Sequence, residues 1–150
     1  MWRCPTCGQT FVTRNMPHSC RTVPLDAHFD GREGLRAVFD AFVAAAQANG
    51  PVTINATKSR VTLQVRMRFA AVEPRSDHLR AHLVLMRPID NPRLQVEHLP
   101  PRYYLHRLRL YAPEDVDAEL RGWLADGVRL GEQRHIRRSR GRGARPGPDR

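Results

Sequence analysis

The chain predicts an α+β fold, in which helices cover one face of a mostly antiparallel sheet of about four to five strands. Apolar residues recur with the helical period in two stretches, one near each end of the chain. Between these stretches apolar and polar residues alternate, as they do in strands with one buried face. Hydrophobic residues make up 41% of the 150, which is enough to form a core, and no apolar run reaches the roughly 18 residues of a membrane span.

The helical period predicts two main helices. The first covers residues 35–46, and Asn49-Gly50-Pro51 ends it because proline cannot continue a helix. The second is predicted to begin at Pro113, with Glu114 and Asp115 near its positive end. The side chains predicted to form its buried stripe are Val116, Leu120, Trp123, Leu124 and Val128.

The alternating region predicts the strands. RVTLQVRMRF, residues 60–69, is predicted to form one long strand, because every second side chain in it is apolar. The further predicted strands are VTIN (52–55), HLRAHLVLM (78–86), LQVEHL (94–99) and YYLHRLRLY (103–111). If the apolar sides face the helices, the other face of the sheet is polar and open to solvent.

Composition divides the chain into three parts. Residues 1–22 hold all three cysteines and are predicted to bind a metal, and residues 23–133 are predicted to form the α+β domain. Residues 134–150 are predicted to be a disordered basic tail. The tail has seven arginines and one acid, so it contributes +6 to the net charge of +10. Such a tail either binds polyanions or serves only solubility.

The metal site is predicted from Cys4, Cys7, His18 and Cys20, which follow the spacing C-x2-C-x10-H-x-C. Three thiolates and an imidazole complete the tetrahedral shell of one structural Zn²⁺ and leave no open position for a substrate. The alternative is a set of buried or redox-active cysteines. Because ligands two residues apart cannot share a helix face, the His18–Cys20 half should be extended, as in a small zinc ribbon or knuckle. Three cysteines are an odd number for disulfides, which favours a reducing, cytoplasmic location.

Several stretches together carry a family resemblance: MWRCPTCGQTF, HSC, VTINATKSRVTLQVRMRFAAVEPR, HLRAHLVLMR, YLHRLRL and PEDVDAELRGWL. Over roughly residues 2–135, the chain resembles a bacterial family of small uncharacterised α+β domains, known as a domain of unknown function. Some of its members carry a Cys-Pro-x-Cys-Gly zinc finger in front of the domain. The resemblance implies the same two-part architecture and implies no activity. Ala112 departs from the family, where a helix-capping serine is usual.

The open face of the predicted sheet collects cations. Arg66 and Arg68, two residues apart on the predicted strand, lie about 7 Å apart at the strand rise. Paired guanidinium groups bind phosphate, carboxylate or a nucleic-acid backbone. The full set of predicted anion-binding residues is Lys58, Arg66, Arg68, Arg80, His82 and Arg107. The alternative is that these residues are simply the solvated face of a half-buried sheet.

Three functions remain open on the sequence. Phosphate-loop, nucleophile-elbow and zinc-protease motifs are absent, so a non-enzymatic role is expected. The first hypothesis is a zinc-containing accessory protein that binds nucleic acid through the basic sheet face and the arginine-rich tail. The second is a protein-interaction module, and the third is a binding protein or enzyme for a small anionic ligand.

Overall fold

The computed structural model describes residues 1–136 and has an α+β fold with a six-stranded antiparallel sheet. The predicted tail lies outside the described residues, except for 134–136, which are helical. The elements are β1 (Trp2–Arg3), β2 (Thr10–Phe11), α1 (Glu33–Gln47), β3 (Thr53–Ala56), β4 (Val61–Gln64), β5 (Arg68–Pro74), β6 (Leu79–Leu85), β7 (Gln95–Leu99), β8 (Tyr103–Leu110) and α2 (Ala118–Gly131). Neither helix in this part of the chain is long and apolar enough to cross a membrane.

The main sheet has the strand order β3-β4-β5-β6-β8-β7, and all neighbouring strands are antiparallel. Its six strands exceed the predicted four to five because residues 60–69 do not form one strand. β4 ends at Gln64, β5 begins at Arg68, and the two strands pair as a hairpin with a bulge beside Leu63. The prediction of a single long strand was therefore wrong.

The hairpin turn between β4 and β5 is held by α2. The backbone N–H groups of Arg66 and Met67 both donate to the carbonyl oxygen of Gly131, the last residue of α2, at 3.0 Å. The turn contains no glycine, proline or asparagine, so no local signal marks it. Tertiary hydrogen bonds therefore produce a reversal that the alternating pattern alone does not reveal.

Both helices pack on the same face of the sheet. In α1 the predicted apolar stripe is buried and includes Val38, Phe39 and Phe42. In α2, Gly127 leaves room for the buried ring of Phe69, because a Cβ at Gly127 would lie 2.9 Å from Phe69 Cδ2. The core thus forms between this face and the helices, and the other face of the sheet is free to position functional groups.

The second helix begins later than predicted. Residues Pro113–Asp115 form a 3-10 turn, in which the Asp115 carboxylate accepts from the backbone N–H groups of Tyr111 and Ala112. α2 starts at Ala118, after the Asp117 side chain caps it by accepting from the N–H of Leu120 at 2.9 Å. Proline in a first turn and aspartate at an N-cap are both ordinary helix-start signals. The predicted start at Pro113 was wrong, because Pro113 begins only the 3-10 turn and Asp117 caps α2.

The N-terminal segment, residues 1–22, packs against the β4–β5 end of the sheet. β1 and β2 form a small antiparallel ribbon, and the Cys4–Cys7 turn lies between them. The side chain of Gln64 donates to the carbonyl oxygen of Thr10 at 2.8 Å. At the end of the segment, Thr22 bridges to Thr57 beside β3. These contacts bring the predicted metal ligands next to the face of the sheet that the helices leave uncovered.

Candidate metal centre and basic sheet face

The three cysteines and His18 converge at one point of the N-terminal segment. The Sγ atoms of Cys4 and Cys20 are 3.8 Å apart, and His18 Nε2 lies 3.3 Å from Cys7 Sγ and 3.5 Å from Cys20 Sγ. One donor atom of each residue lies within 4.8 Å of the others. The four residues are therefore close enough to hold a metal ion.

Local geometry orients the ligands. Gly8 adopts a φ of 76°, a left-handed conformation that glycine permits, and so closes the turn after Cys7. The His18–Cys20 half of the site is not helical. The Nδ1 of His18 donates to the carbonyl oxygen of Met16 at 2.6 Å, which leaves the Nε2 lone pair directed at the sulfurs. The Phe11 ring packs 4.3 Å from the His18 ring, between centroids.

The surroundings of the cysteines give the thiols of Cys4 and Cys20 different pKa values. A hydrogen bond from the backbone of Cys7 lowers the pKa of Cys4 to about 6. Desolvation and the neighbouring sulfurs raise the pKa of Cys20 to about 11. Sulfurs this close disfavour a second and third negative charge, and a bound divalent cation removes that penalty.

Gln9, which the sequence did not single out, links the candidate metal site to the sheet. Its side chain is buried, and its Nε2 donates to Cys7 Sγ at 3.4 Å and to the carbonyl oxygen of Ser19 at 3.0 Å. Its Oε1 accepts a hydrogen bond from Arg68 Nη2. A glutamine belongs to no metal-site motif, so only the fold reveals this role.

The sheet face turned away from the helices, here called the open face, is lined by basic residues. Of the predicted anion-binding residues, four line one cavity of about 350 Å³ on this face: Arg68, Arg80, His82 and Arg107. Arg60, which no sequence pattern marks, lines it too. Arg66 instead lies in the β4–β5 turn, and Lys58 is exposed in the loop between β3 and β4. Neither of these two lines the cavity.

Acidic partners neutralise only part of the open face. Glu73 pairs with Arg60 at 3.4 Å and with Arg75 at 3.1 Å, and Glu97 pairs with Arg107 at 2.9 Å. Glu73 lies opposite Arg80 in the β5–β6 register but pairs with Arg60 and Arg75, and the side chain of Arg80 has no hydrogen bond or ion pair among the described residues 1–136. Its charge is therefore available to a ligand.

A second basic cavity adjoins the first. It has a volume of about 800 Å³ and shares Arg80 and Arg107 with the first cavity, so the two form one continuous surface. The residues that the second cavity adds are Arg75, Ser76, His78, Pro92, Arg93, Gln95, Leu108, Arg109 and Tyr111. Of these, Arg93 is already engaged, with Asp117 at 2.8 Å and with the ring of Trp123.

Two of the strand histidines, His82 on β6 and His106 on β8, lie on opposite faces of the sheet. His82 faces the open side, where burial and then the Arg60 charge lower its pKa. His106 pairs with Leu83 in the register and is fully buried on the helix side. Its Nε2 accepts from the N–H of Ile89 at 3.0 Å and its Nδ1 donates to the carbonyl oxygen of Tyr104. His106 is thus a structural residue and not part of the open face.

Comparison with known proteins gives one match. A family model described as a domain of unknown function (DUF5655) covers residues 25–130. The chain belongs to this family. The DUF5655 match contains all of α1, α2 except its last residue, and the whole six-stranded sheet, and it starts after the N-terminal segment. No curated protein and no solved structure matches the chain.

Proposed function

We propose that this DUF5655 protein is a zinc-containing accessory protein that binds nucleic acid on the open face of its sheet. Cys4, Cys7, His18 and Cys20 hold one structural Zn²⁺, and no chemistry takes place there because the shell is complete. The basic surface binds the phosphate backbone. The six arginines among residues 137–150 add positive charge to the same chain.

One observation carries the nucleic-acid proposal. On the open face, Arg80 lies directly opposite Arg109 across the β6–β8 pair. Like charges in directly opposite positions destabilise a sheet, by a few tenths of a kcal/mol to about 1 kcal/mol. On a face that only contacts solvent, this repulsion is not compensated. An anionic ligand that binds both cations compensates it.

The shape of the surface favours a polyanion over a small anion. The two adjoining cavities, of about 350 and 800 Å³, share Arg80 and Arg107 and together exceed the space that a single phosphate occupies. A continuous row of cations is the arrangement that follows a chain of phosphates. At its margin, Tyr111 is exposed, and its aromatic ring can stack on a base.

The distances in the cysteine cluster support zinc as the metal. A tetrahedral ion with the usual zinc bond lengths separates two sulfurs by about 3.8 Å and a sulfur from a nitrogen by about 3.6 Å. The Cys4–Cys20 distance of 3.8 Å and the His18–Cys20 distance of 3.5 Å agree with these edges, and the Cys7–His18 distance of 3.3 Å is slightly shorter. Thiolate ligands select zinc over magnesium or calcium.

The nucleic-acid proposal is tested by fluorescence anisotropy with a labelled 20-nucleotide single strand and with the matching duplex. The wild type is expected to bind, with an affinity that falls steeply as salt rises. Arg80→Ala removes one cation that has no ion pair among residues 1–136 and lowers the slope of log K against log salt by about one. The matched control is Arg129→Ala, an exposed arginine on α2 that removes the same charge from the helix side. Equal effects of the two substitutions, or no binding at low salt, contradict the proposal.

A second candidate function, protein interaction, rests on the N-terminal segment. Three of the large hydrophobic side chains that are exposed among the described residues lie in this segment: Met1, Val12 and Met16. Met1 and Val12 flank the paired residues Trp2 and Phe11 of the β1–β2 ribbon, and neighbouring exposed apolar side chains are a feature of docking surfaces. Capture of one partner that survives nuclease treatment and is lost in Val12→Ser favours this candidate over nucleic acid.

A further inference from the structure

Arg68 belongs to two sites at once. It lines the cavity on the open face, and it also contacts the N-terminal segment. Its guanidinium carbon lies 4.7 Å from the centre of the Phe11 ring, and its Nη2 donates to Gln9 Oε1. Within the described residues, its Nε is buried and has no hydrogen-bond partner. Arg68 is thus held in place from one side, and its donors are not all used.

Both contacts of Arg68 depend on the shape of the candidate metal site. Gln9 is only 6% exposed, and the hydrogen bonds that fix its amide run to Cys7 Sγ and to the carbonyl oxygen of Ser19. Ser19 lies between the ligands His18 and Cys20. Phe11 in turn packs on the His18 ring. Every group that positions Arg68 therefore touches a ligand or a neighbour of a ligand.

We infer that Zn²⁺ occupancy controls anion binding on the open face, through Gln9 as the residue that positions Arg68. This inference rests on the proposed function of that face. With the metal bound, Gln9 is fixed and presents Arg68 to the ligand. Without it, the N-terminal segment is too short to bury a core of its own, so Gln9 and Phe11 release the guanidinium group. Linkage makes the effect reciprocal: an anion that contacts Arg68 tightens zinc binding by the same factor.

Gln9→Ala separates this coupling from a loss of metal, because Gln9 is not a ligand. The variant is expected to retain one zinc per chain and to lower the salt slope of nucleic-acid binding by about one, as Arg68→Ala does. The double variant Gln9→Ala/Arg68→Ala has the same salt slope as either single variant, because both substitutions remove the same contact. Chelation of zinc has the same effect in the wild type and none in Arg68→Ala. Gln47→Ala, an exposed glutamine on α1, is the matched control and binds as the wild type does.

A second measurement needs no nucleic acid. In ¹⁵N NMR spectra, the Nε–H of Arg68 is expected to be a shifted, slowly exchanging signal in the zinc-loaded protein. Gln9→Ala and chelation both move that signal to the position of a free arginine. Thermal melts of each variant show whether the sheet is intact.

The outcomes distinguish the coupling from the proposed function. If the wild type binds the oligonucleotide but Gln9→Ala binds equally well and leaves the Arg68 signal unmoved, the coupling is wrong and the proposed function stands. If the wild type does not bind, the proposed function fails, and the Arg68 signal alone decides whether the metal positions this residue. If the Arg68 Nε–H signal changes neither on chelation nor in Gln9→Ala, the inference is wrong.

Discussion

At the scale of single residues, a functional residue can be predicted from the sequence only if it belongs to a recognisable motif. The four candidate metal ligands lie in a short, regularly spaced segment, so their convergence is predictable from 20 residues. Gln9 and Arg60 have no such mark, because each acquires its role from partners far away in the chain, Arg68 and Glu73. The alternating pattern predicts Arg66 on the same face as Arg68, and the turn at residues 65–67 removes that relationship.

His106 illustrates a buried histidine whose protonation opposes folding. Burial lowers its pKa, and the Arg87 charge acts in the same direction. Because the folded-state pKa lies below the ordinary value near 6.5, its contribution to stability is complete above about pH 6.5. The contribution is lost as the pH falls through the folded-state pKa.

His106→Phe is therefore expected to cost about 1–3 kcal/mol at pH 8, because it leaves the buried N–H of Ile89 without an acceptor. The difference in unfolding free energy from the wild type should shrink as the pH falls from 8 to 5, measured by urea titration at each pH. His98→Phe, at an exposed position on β7, is the control and should show neither effect. A pH-independent cost in His106→Phe contradicts this account.

At the scale of elements, the sequence period predicts the type of structure better than its boundaries. α1 lies where the apolar spacing predicts it, because Gly50 and Pro51 give an unambiguous end. The β4–β5 turn and the late start of α2 were missed, because Gly131 and Asp117 act through hydrogen bonds that no period records. Tertiary contacts decide both boundaries.

Two glycines of α2 provide a matched test of helix packing. Gly127→Ala should destabilise the protein by about 1–3 kcal/mol, because its Cβ would lie 2.9 Å from the buried ring of Phe69. Gly122→Ala, in the same helix with open space around it, should stabilise by up to about 1 kcal/mol. Chemical denaturation measures both. Equal changes in the two variants would show that α2 does not pack on Phe69 in this way.

At the scale of the whole molecule, residues 1–130 comprise a DUF5655 domain and an N-terminal segment that packs against its sheet. The fold class follows from the helix–strands–helix order alone, since few architectures accommodate it. The docking of the segment on Gln64 and Arg68 does not follow, because both residues resemble ordinary polar positions of a strand. The proposed function and the coupling both require that a metal hold this segment in place.

Metal analysis by native mass spectrometry, after purification without chelator, tests that requirement most directly. We predict one zinc ion per chain, and none in Cys4→Ser, because loss of one thiolate opens the shell. Ser19→Ala, which lies between two ligands and changes neither of them, should retain the ion. A wild-type protein without metal, or a Cys4→Ser variant that binds zinc as tightly as the wild type, would contradict the account.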